Sequence, residues 1–427
     1  MKRLLALTLS FVLSAHAEKL TLDQALDKAL ATDQSIAIAA AEAGKAALEP
    51  RSALVRMMPT LTGNAGATRN DRNGSGTTGT SNGVTSNGSA SITLDQPLID
   101  LSLAPAIRRG KLISESARLQ YLNAIRQTLF AVTTAFYDVL EQERIVAVDL
   151  EAVKLAEENV TIADKRAKAG AVTRTDVLRA TASLEENRRS LIVSQSTLDL
   201  KRNILANILN LGPQRDFILV EPATASGADP DFNELLRIAY AHREDLRATE
   251  LVIQQQVERK EEIKGLYGPK LGAQLSASST AASQNRDSNE WQAAFSVRMP
   301  FMTGGQRKLD LKGADYDIQQ ARLSFDQQRK AVQEEAMSAW VEVRTLRETI
   351  VALQAQVAAA EQSYKDLQTQ YSAGTAKSID VLAELRSLNA ARKDLAVQTL
   401  GLQLALKRLD VVSGVFQEQR VQKAMKP

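Results

Sequence analysis

Apolar residues recur at every seventh position along two long stretches, Val177, Leu184, Leu191, Leu198 and Leu205 in the first and Val381, Leu388, Leu395, Leu402 and Leu409 in the second. A ladder of this period is the seam of a helix packed lengthwise on another helix. Each ladder is entered through one signature, Gly170-Ala-Val-Thr-Arg-Thr-Asp176-Val177-Leu178 and Gly374-Thr-Ala-Lys-Ser-Ile-Asp380-Val381-Leu382, the two glycines lying 204 residues apart. The chain is therefore an internal duplication. In front of each signature runs a proline-free helical pattern, from about Pro105 to Lys168 and from about Gln306 to Gln370, roughly 95 and 100 Å long at 1.5 Å per residue. Gly sits where a helix needs a left-handed terminal residue, and Asp sits where the next helix takes an N-cap. Each copy is expected to be the tip of a helical hairpin.

Between these stretches the period falls from seven to two. Leu271, Ala273, Leu275 and Ala277 alternate with polar neighbours, as do Trp291, Ala293, Phe295, Val297 and Met299, which is the grammar of strands with one apolar face. A weaker pair occupies the matching place in the first half, from Thr60 to Ala67 and from Ala90 to Leu94, stopping at Pro97. The strands are expected near 59–97 and 269–300. The Asn/Gly/Ser/Thr-rich segment from Arg69 to Asn87 reads as a mobile external loop. Ahead of the first pair, Leu22 to about Glu49 reads as one amphipathic helix, and Leu236, Ala239 and Leu246 repeat its Leu26, Ala29 and Ile36. The repeats divide as 18–232 and 233–427.

The fold expected is mainly α with β, in which each protomer has two long helices, four shorter stacked helices and four strands. Four strands cannot close a barrel, since the smallest membrane barrels need about eight. Three copies would supply about twelve, making a barrel continued by a coiled-coil tube of helices.

Composition narrows the setting. With 44% hydrophobic residues, only 4% aromatic and no cysteine, the chain favours long helices over a compact core and has no disulfide staples. Residues 1–17 combine a basic start, an apolar run and an Ala-His-Ala end, and are expected to be a secretory signal cleaved before Glu18. Its removal takes Lys2 and Arg3 from a formal charge of +3, leaving +1 and no basic surface for nucleic acid. No run of about 18 apolar residues is present to span a bilayer as a helix, so a span must be a β-barrel. No enzyme is expected: His242 is the only histidine after residue 17, and no phosphate loop, nucleophile elbow, cofactor motif or metal cluster accompanies it.

The two Gly-x5-Asp-Val-Leu tips, the approach Tyr371-Ser-Ala-Gly374 and the stretch Ala241-His242-Arg243-Glu244-Asp245-Leu246 resemble the TolC-type outer-membrane channels of multidrug efflux and type I secretion, along the whole of 18–427. In the last stretch Glu244 replaces the family's proline. The resemblance implies a homotrimer in the outer membrane of a Gram-negative-type cell, reaching into the periplasm. Its implied partners are outer-membrane lipid, a periplasmic adaptor (membrane fusion) protein and an inner-membrane pump of RND, ABC or MFS type. It also implies a gate at the helical tips, with Asp380 in an acidic ring and Tyr371, Thr175 and Asp176 linking neighbouring hairpins. The second acidic ring falls on Ala383 and the arginine of that linking network on Ala376. Gly170, Ala171, Gly374 and Thr375 would form the blunt tips that the adaptor grips. Asp176 and Asp380 can equally be plain helix caps. The rival reading is a periplasmic coiled-coil structural or adaptor protein without a barrel.

Overall fold

The computed structural model describes residues 18–72, 83–212, 217–223, 231–282 and 288–424. The expected signal segment 1–17 and the loop core 73–82 lie outside the described residues. In chain order the elements are β1 (Glu18–Leu20), α1 (Leu22–Thr32), α2 (Gln34–Ala46), α3 (Glu49–Val55), β2 (Thr60–Arg72), β3 (Gly83–Asp100), α4 (Leu103–Lys168) and α5 (Arg174–Ile208). They continue as β4 (Phe217–Leu219), α6 (Phe232–His242), α7 (Glu244–Leu266), β5 (Lys270–Ala282), β6 (Ser288–Arg298), α8 (Gln306–Ala373), α9 (Ser378–Val412) and α10 (Glu418–Ala424). The long helices α4 and α8 have 66 and 68 residues, about 99 and 102 Å of axis.

The chain forms two compact units. One comprises Ala39–Tyr121 and Glu244–Arg329 and contains a four-stranded antiparallel sheet in the order β2-β3-β5-β6. The register places Leu61 opposite Leu94, Leu94 opposite Leu275 and Leu275 opposite Ala293. One face is thereby apolar across all four strands, and it is open, with Trp291 76% and Phe295 80% exposed. Helices close in on the strand ends. A Cβ on Gly110 of α4 would lie 2.9 Å from the Pro50 nitrogen at the start of α3, and one on Gly265 of α7 would lie 2.5 Å from the Ser102 nitrogen, so both crossings need the missing side chain.

The other unit comprises Met1–Ile38, Leu122–Arg243 and Lys330–Pro427. Here β1 and β4 pair in parallel, and Leu235, Val343, Leu409 and Val412 bury one another where α6 meets α8 and α9. The segment after α9 is tied down from two sides: Arg126 donates to the Phe416 carbonyl at 2.6 Å, and Arg420 pairs with Asp23 and Asp27 of α1, each at 2.9 Å.

The details depart from expectation in four places. The single helix expected over 22–49 breaks at Asp33, whose carboxylate accepts from the Ser35 and Ile36 N–H groups at 2.8 and 3.2 Å and starts a fresh helix. The counterpart breaks at Arg243, which is extended (φ −71°, ψ 117°). With α10 these breaks give more short helices than the four expected. Strand β3 continues past Pro97 to Asp100: Pro97 keeps its place opposite Gly272, and the register then shifts so that Leu98 is the extra residue between Pro97 and Ile99, a bulge of the kind that accommodates a proline unable to donate to the ladder. Residues 69–72 and 83–87, expected as loop, instead extend the hairpin, with Arg69 opposite Ser86 and Arg72 opposite Gly83.

Candidate functional site

Both hairpin tips are built by the same backbone device. At the first, Gly170 takes φ +73°, its N–H reaches the Ala167 carbonyl at 3.0 Å, and the Ala171 N–H reaches the Arg166 carbonyl at 2.9 Å. At the second, Gly374 takes φ +91°, with Gly374 N–H to Tyr371 carbonyl at 3.1 Å and Thr375 N–H to Gln370 carbonyl at 2.9 Å. These are paired helix-terminating bonds that need a left-handed residue, which glycine supplies without strain. Gly170, Ala171, Gly374 and Thr375 are all exposed.

The two aspartates are not N-caps. Thr173 and Lys377 hold those positions, and Asp176 and Asp380 each stand three residues on, in the first helical turn, where the helix dipole favours a carboxylate. The two then differ. Asp176 accepts from the Thr173 N–H at 3.1 Å and hydroxyl at 2.8 Å and lies 3.8 Å from Arg179, so its charge is spent locally. Lys377 has no acceptor to exchange with Asp380, whose exposed carboxylate projects into solvent. Thr175 and Ala383 are exposed as well.

Tyr371 is 3% exposed and belongs to an apolar cluster with Leu184, Tyr364, Val381, Leu385 and Leu388, against which Val172 and Ala376 of the two tips also pack. Its hydroxyl is buried with no hydrogen-bond partner among the described residues, so within the protomer it joins neither Thr175 nor Asp176. The physical reason is that Asp176 is turned back onto its own first turn. The ring instead carries Arg166 of α4, whose guanidinium lies 4.5 Å from the ring centroid and also donates to the Tyr371 carbonyl. Sequence reasoning passed over Arg166 because it stands in the basic last turn Lys165-Arg166-Ala167-Lys168, which reads as a plain complement to the helix dipole.

Deeper in the same cluster the Asn159 amide donates to the Tyr364 hydroxyl at 3.0 Å. Burial pushes the Tyr364 phenol up to about 12, against the pull of that hydrogen bond. The unfolded phenol ionises near its ordinary value of about 10, so the unfolded chain loses this proton first. Stability that is complete below a pH of about 10 is then lost as pH approaches about 12. Tyr364→Phe is expected to flatten this alkaline fall in the thermal midpoint; coincident profiles for the two proteins would exclude Tyr364 as its source.

A mainly helical chain with an open apolar-faced sheet and two matched hairpin tips has the fold of solved outer-membrane channels. The family model described as outer membrane efflux protein matches residues 25–211 and 235–415, and the chain belongs to that family. It is a protein of the outer membrane. Its relatives include the outer membrane efflux protein BepC of Brucella suis, 23% identical over 274 residues, 63% of this chain and 59% of that protein. The chain thus spans about three fifths of the BepC length. The outer membrane protein TolC of Escherichia coli is 23% identical over 333 residues, 74% of this chain and 67% of TolC. The solved structure of CusC superposes with a TM-score of 0.80 at 16% identity, over 95% of this chain and 96% of that one, a likeness of fold.

Proposed function

We propose that the protein is the exit duct of a tripartite efflux or type I secretion system: a homotrimer whose sheets close a twelve-stranded barrel and whose hairpin tips form the periplasmic gate. The observation that carries this reading is the four-stranded sheet, which has an apolar face but, among the described residues, pairs on only one side of β2 and of β6. An unpaired strand edge is not tolerated in hydrocarbon, so a membrane sheet of this kind calls for further copies of itself. The open sheet also weighs against a barrel-less coiled-coil adaptor. On this reading 18–427 is one channel protomer of two repeats, and 1–17 is its export signal. Gly170, Ala171, Gly374 and Thr375 are the surface gripped by a periplasmic adaptor, which couples the duct to an inner-membrane pump. Asp380 is the pore-facing member of the gate, a role for which its free carboxylate suits it better than Asp176.

Threefold symmetry would bring three Asp380 carboxylates to one mouth, a ring that favours cations and repels anions. Asp380→Asn is expected to reduce cation selectivity and block by multivalent cations in planar bilayers while leaving oligomer stability nearly unchanged. Selectivity equal to that of the parent channel would remove Asp380 from the gate, and a protein that runs as a monomer in mild detergent would remove the duct itself.

A further inference from the structure

Well back from the tips, the two hairpins of one copy touch along α5 and α9. Arg386 meets Glu186 at 2.9 Å, the Asn389 amide donates to the Asn187 side-chain oxygen at 3.4 Å, and Lys393 donates to the Ser190 hydroxyl at 3.1 Å while also pairing with the buried Asp149 of α4. Glu186, Asn187 and Ser190 lie on one face of α5, and Arg386, Asn389 and Lys393 on one face of α9, at the three- and four-residue spacing that puts side chains side by side.

The duplication gives each of these faces a counterpart 204 residues away. The offset governs contacts as well as sequence, since the bridge inside each hairpin obeys it: Arg188 to Glu157 at 2.9 Å and Arg392 to Glu361 at 2.6 Å are one pair shifted by 204. In a closed ring the two hairpins alternate, so α9 of one copy would meet α5 of the next through the shifted faces. Arg386, Asn389 and Lys393 map onto Ala182, Glu185 and Arg189 of α5, and Glu186, Asn187 and Ser190 map onto Ala390, Ala391 and Asp394 of α9. Most links then lose their polar partner: Ala182 would face Ala390, Glu185 would face Ala391, and the Asp149–Lys393 pair becomes Leu353 and Arg189. The Lys393–Ser190 bond instead becomes Arg189 and Asp394, a pair of opposite charges.

Both residues are unused within the copy. Arg189 and Asp394 are exposed, and neither has a hydrogen-bond or ion-pair partner among the described residues, although their sequence neighbours Arg188 and Lys393 are both paired. Ala182 and Glu185 on the same α5 face are exposed too. One turn beyond Arg189 that face continues into Ile192 and Val193, 63% and 59% exposed, an apolar surface that the single copy leaves uncovered.

We infer that a second copy of this chain covers this face of α5, with Arg189 of one copy paired to Asp394 of the next. This rests on the trimeric reading above and names the surface through which its copies recognise one another. An exposed ion pair adds little stability by itself, but it selects a register. Sliding α9 by one turn would set Arg189 against Ala390 or Gln398 and leave both charges unpaired at each of the three joints.

The cysteine-free chain allows a direct test with a short thiol-specific crosslinker that reductant cleaves. Arg189→Cys with Asp394→Cys is expected to give a dimer–trimer ladder on denaturing gels that reductant collapses, whereas Glu186→Cys with Arg386→Cys, a contact inside one copy, is expected to run as a monomer. Charge reversal supplies an independent readout. Arg189→Glu and Asp394→Lys are each expected to lower the temperature at which the oligomer dissociates in detergent, and the two together to recover most of that loss, a coupling that distant sites do not show. Single copies on the gel from the Arg189 and Asp394 cysteine pair, when the same protein is oligomeric in detergent, would overturn the inference and leave the duct reading standing, and so would losses that add in the double reversal. A parent protein that is monomeric in detergent would overturn the duct reading and the inference with it.

Discussion

Glu262→Ala is expected to destabilise the protein by roughly 1–3 kcal/mol, the cost of leaving charged hydrogen-bonding groups without their partner, because Arg56 and Arg259 keep 55% and 43% of their side chains in solvent. The Glu262 side chain is 5% exposed and is surrounded by Arg109 at 3.1 Å, Arg259 at 3.0 Å and Arg56 at 3.7 Å. One carboxylate therefore compensates three guanidinium groups drawn from α4, α7 and the turn after α3. Its loss leaves three positive charges facing one another with no partner between them. Glu262→Gln keeps an acceptor and is expected to lose less. A control is available in Glu348, 72% exposed and paired with Arg344 at 3.3 Å, where Glu348→Ala is expected to stay within about 0.5 kcal/mol. Thermal or urea midpoints in detergent decide the matter, and equal midpoints for the Glu262 and Glu348 variants would show that the cluster carries no stability.

Gly265→Ala is expected to be the second severe change, and its sign runs against helix propensity. Alanine normally stabilises a helix interior by roughly 1 kcal/mol over glycine. The added Cβ at position 265, however, would lie 2.5 Å from the Ser102 nitrogen and 2.6 Å from the Leu101 carbonyl oxygen, and backbone cannot rotate away as a side chain can. Overpacking of this kind costs typically about 1–3 kcal/mol, and here it also forces α7 off the β3–α4 junction. In Gly44→Ala, by contrast, the new methyl meets nothing within 4 Å, so the propensity gain should appear unopposed. Unfolding midpoints that move in opposite directions for the two variants are the expected result; a rise for both would mean the junction has slack.

What the sequence made legible follows from the range of the forces involved. The tips could be read because a left-handed glycine and its helix-terminating bonds are local, and the second strand pair because alternation is printed in consecutive residues. The break at Asp33 is local too, but three- and four-residue apolar spacing continues across it and masks it. The β1–β4 pairing joins three-residue strands from distant parts of the chain, with no length over which periodicity could show. Glu262 sits in Arg259-Lys-Glu-Glu-Ile263, which reads as a solvated helix face; only the convergence of three elements turns it inward. Arg166 and Tyr371 were hidden by the repeat itself. Aligning the two copies draws attention to what they share, whereas the Arg166–Tyr371 contact depends on where they differ.

The open edges of the sheet have a consequence for how the protein is made. Strands β2 and β6, of 13 and 11 residues, each pair on one side only among the described residues, while exposed Leu61, Trp291, Phe295 and Val297 make the same surface sticky in water. On the trimeric reading proposed above, an unassembled copy would be a short-lived species, prone to strand-to-strand aggregation and unable to enter the bilayer alone. Assembly should come before insertion, and the yield of membrane-borne protein should fall more steeply than in proportion as expression is lowered.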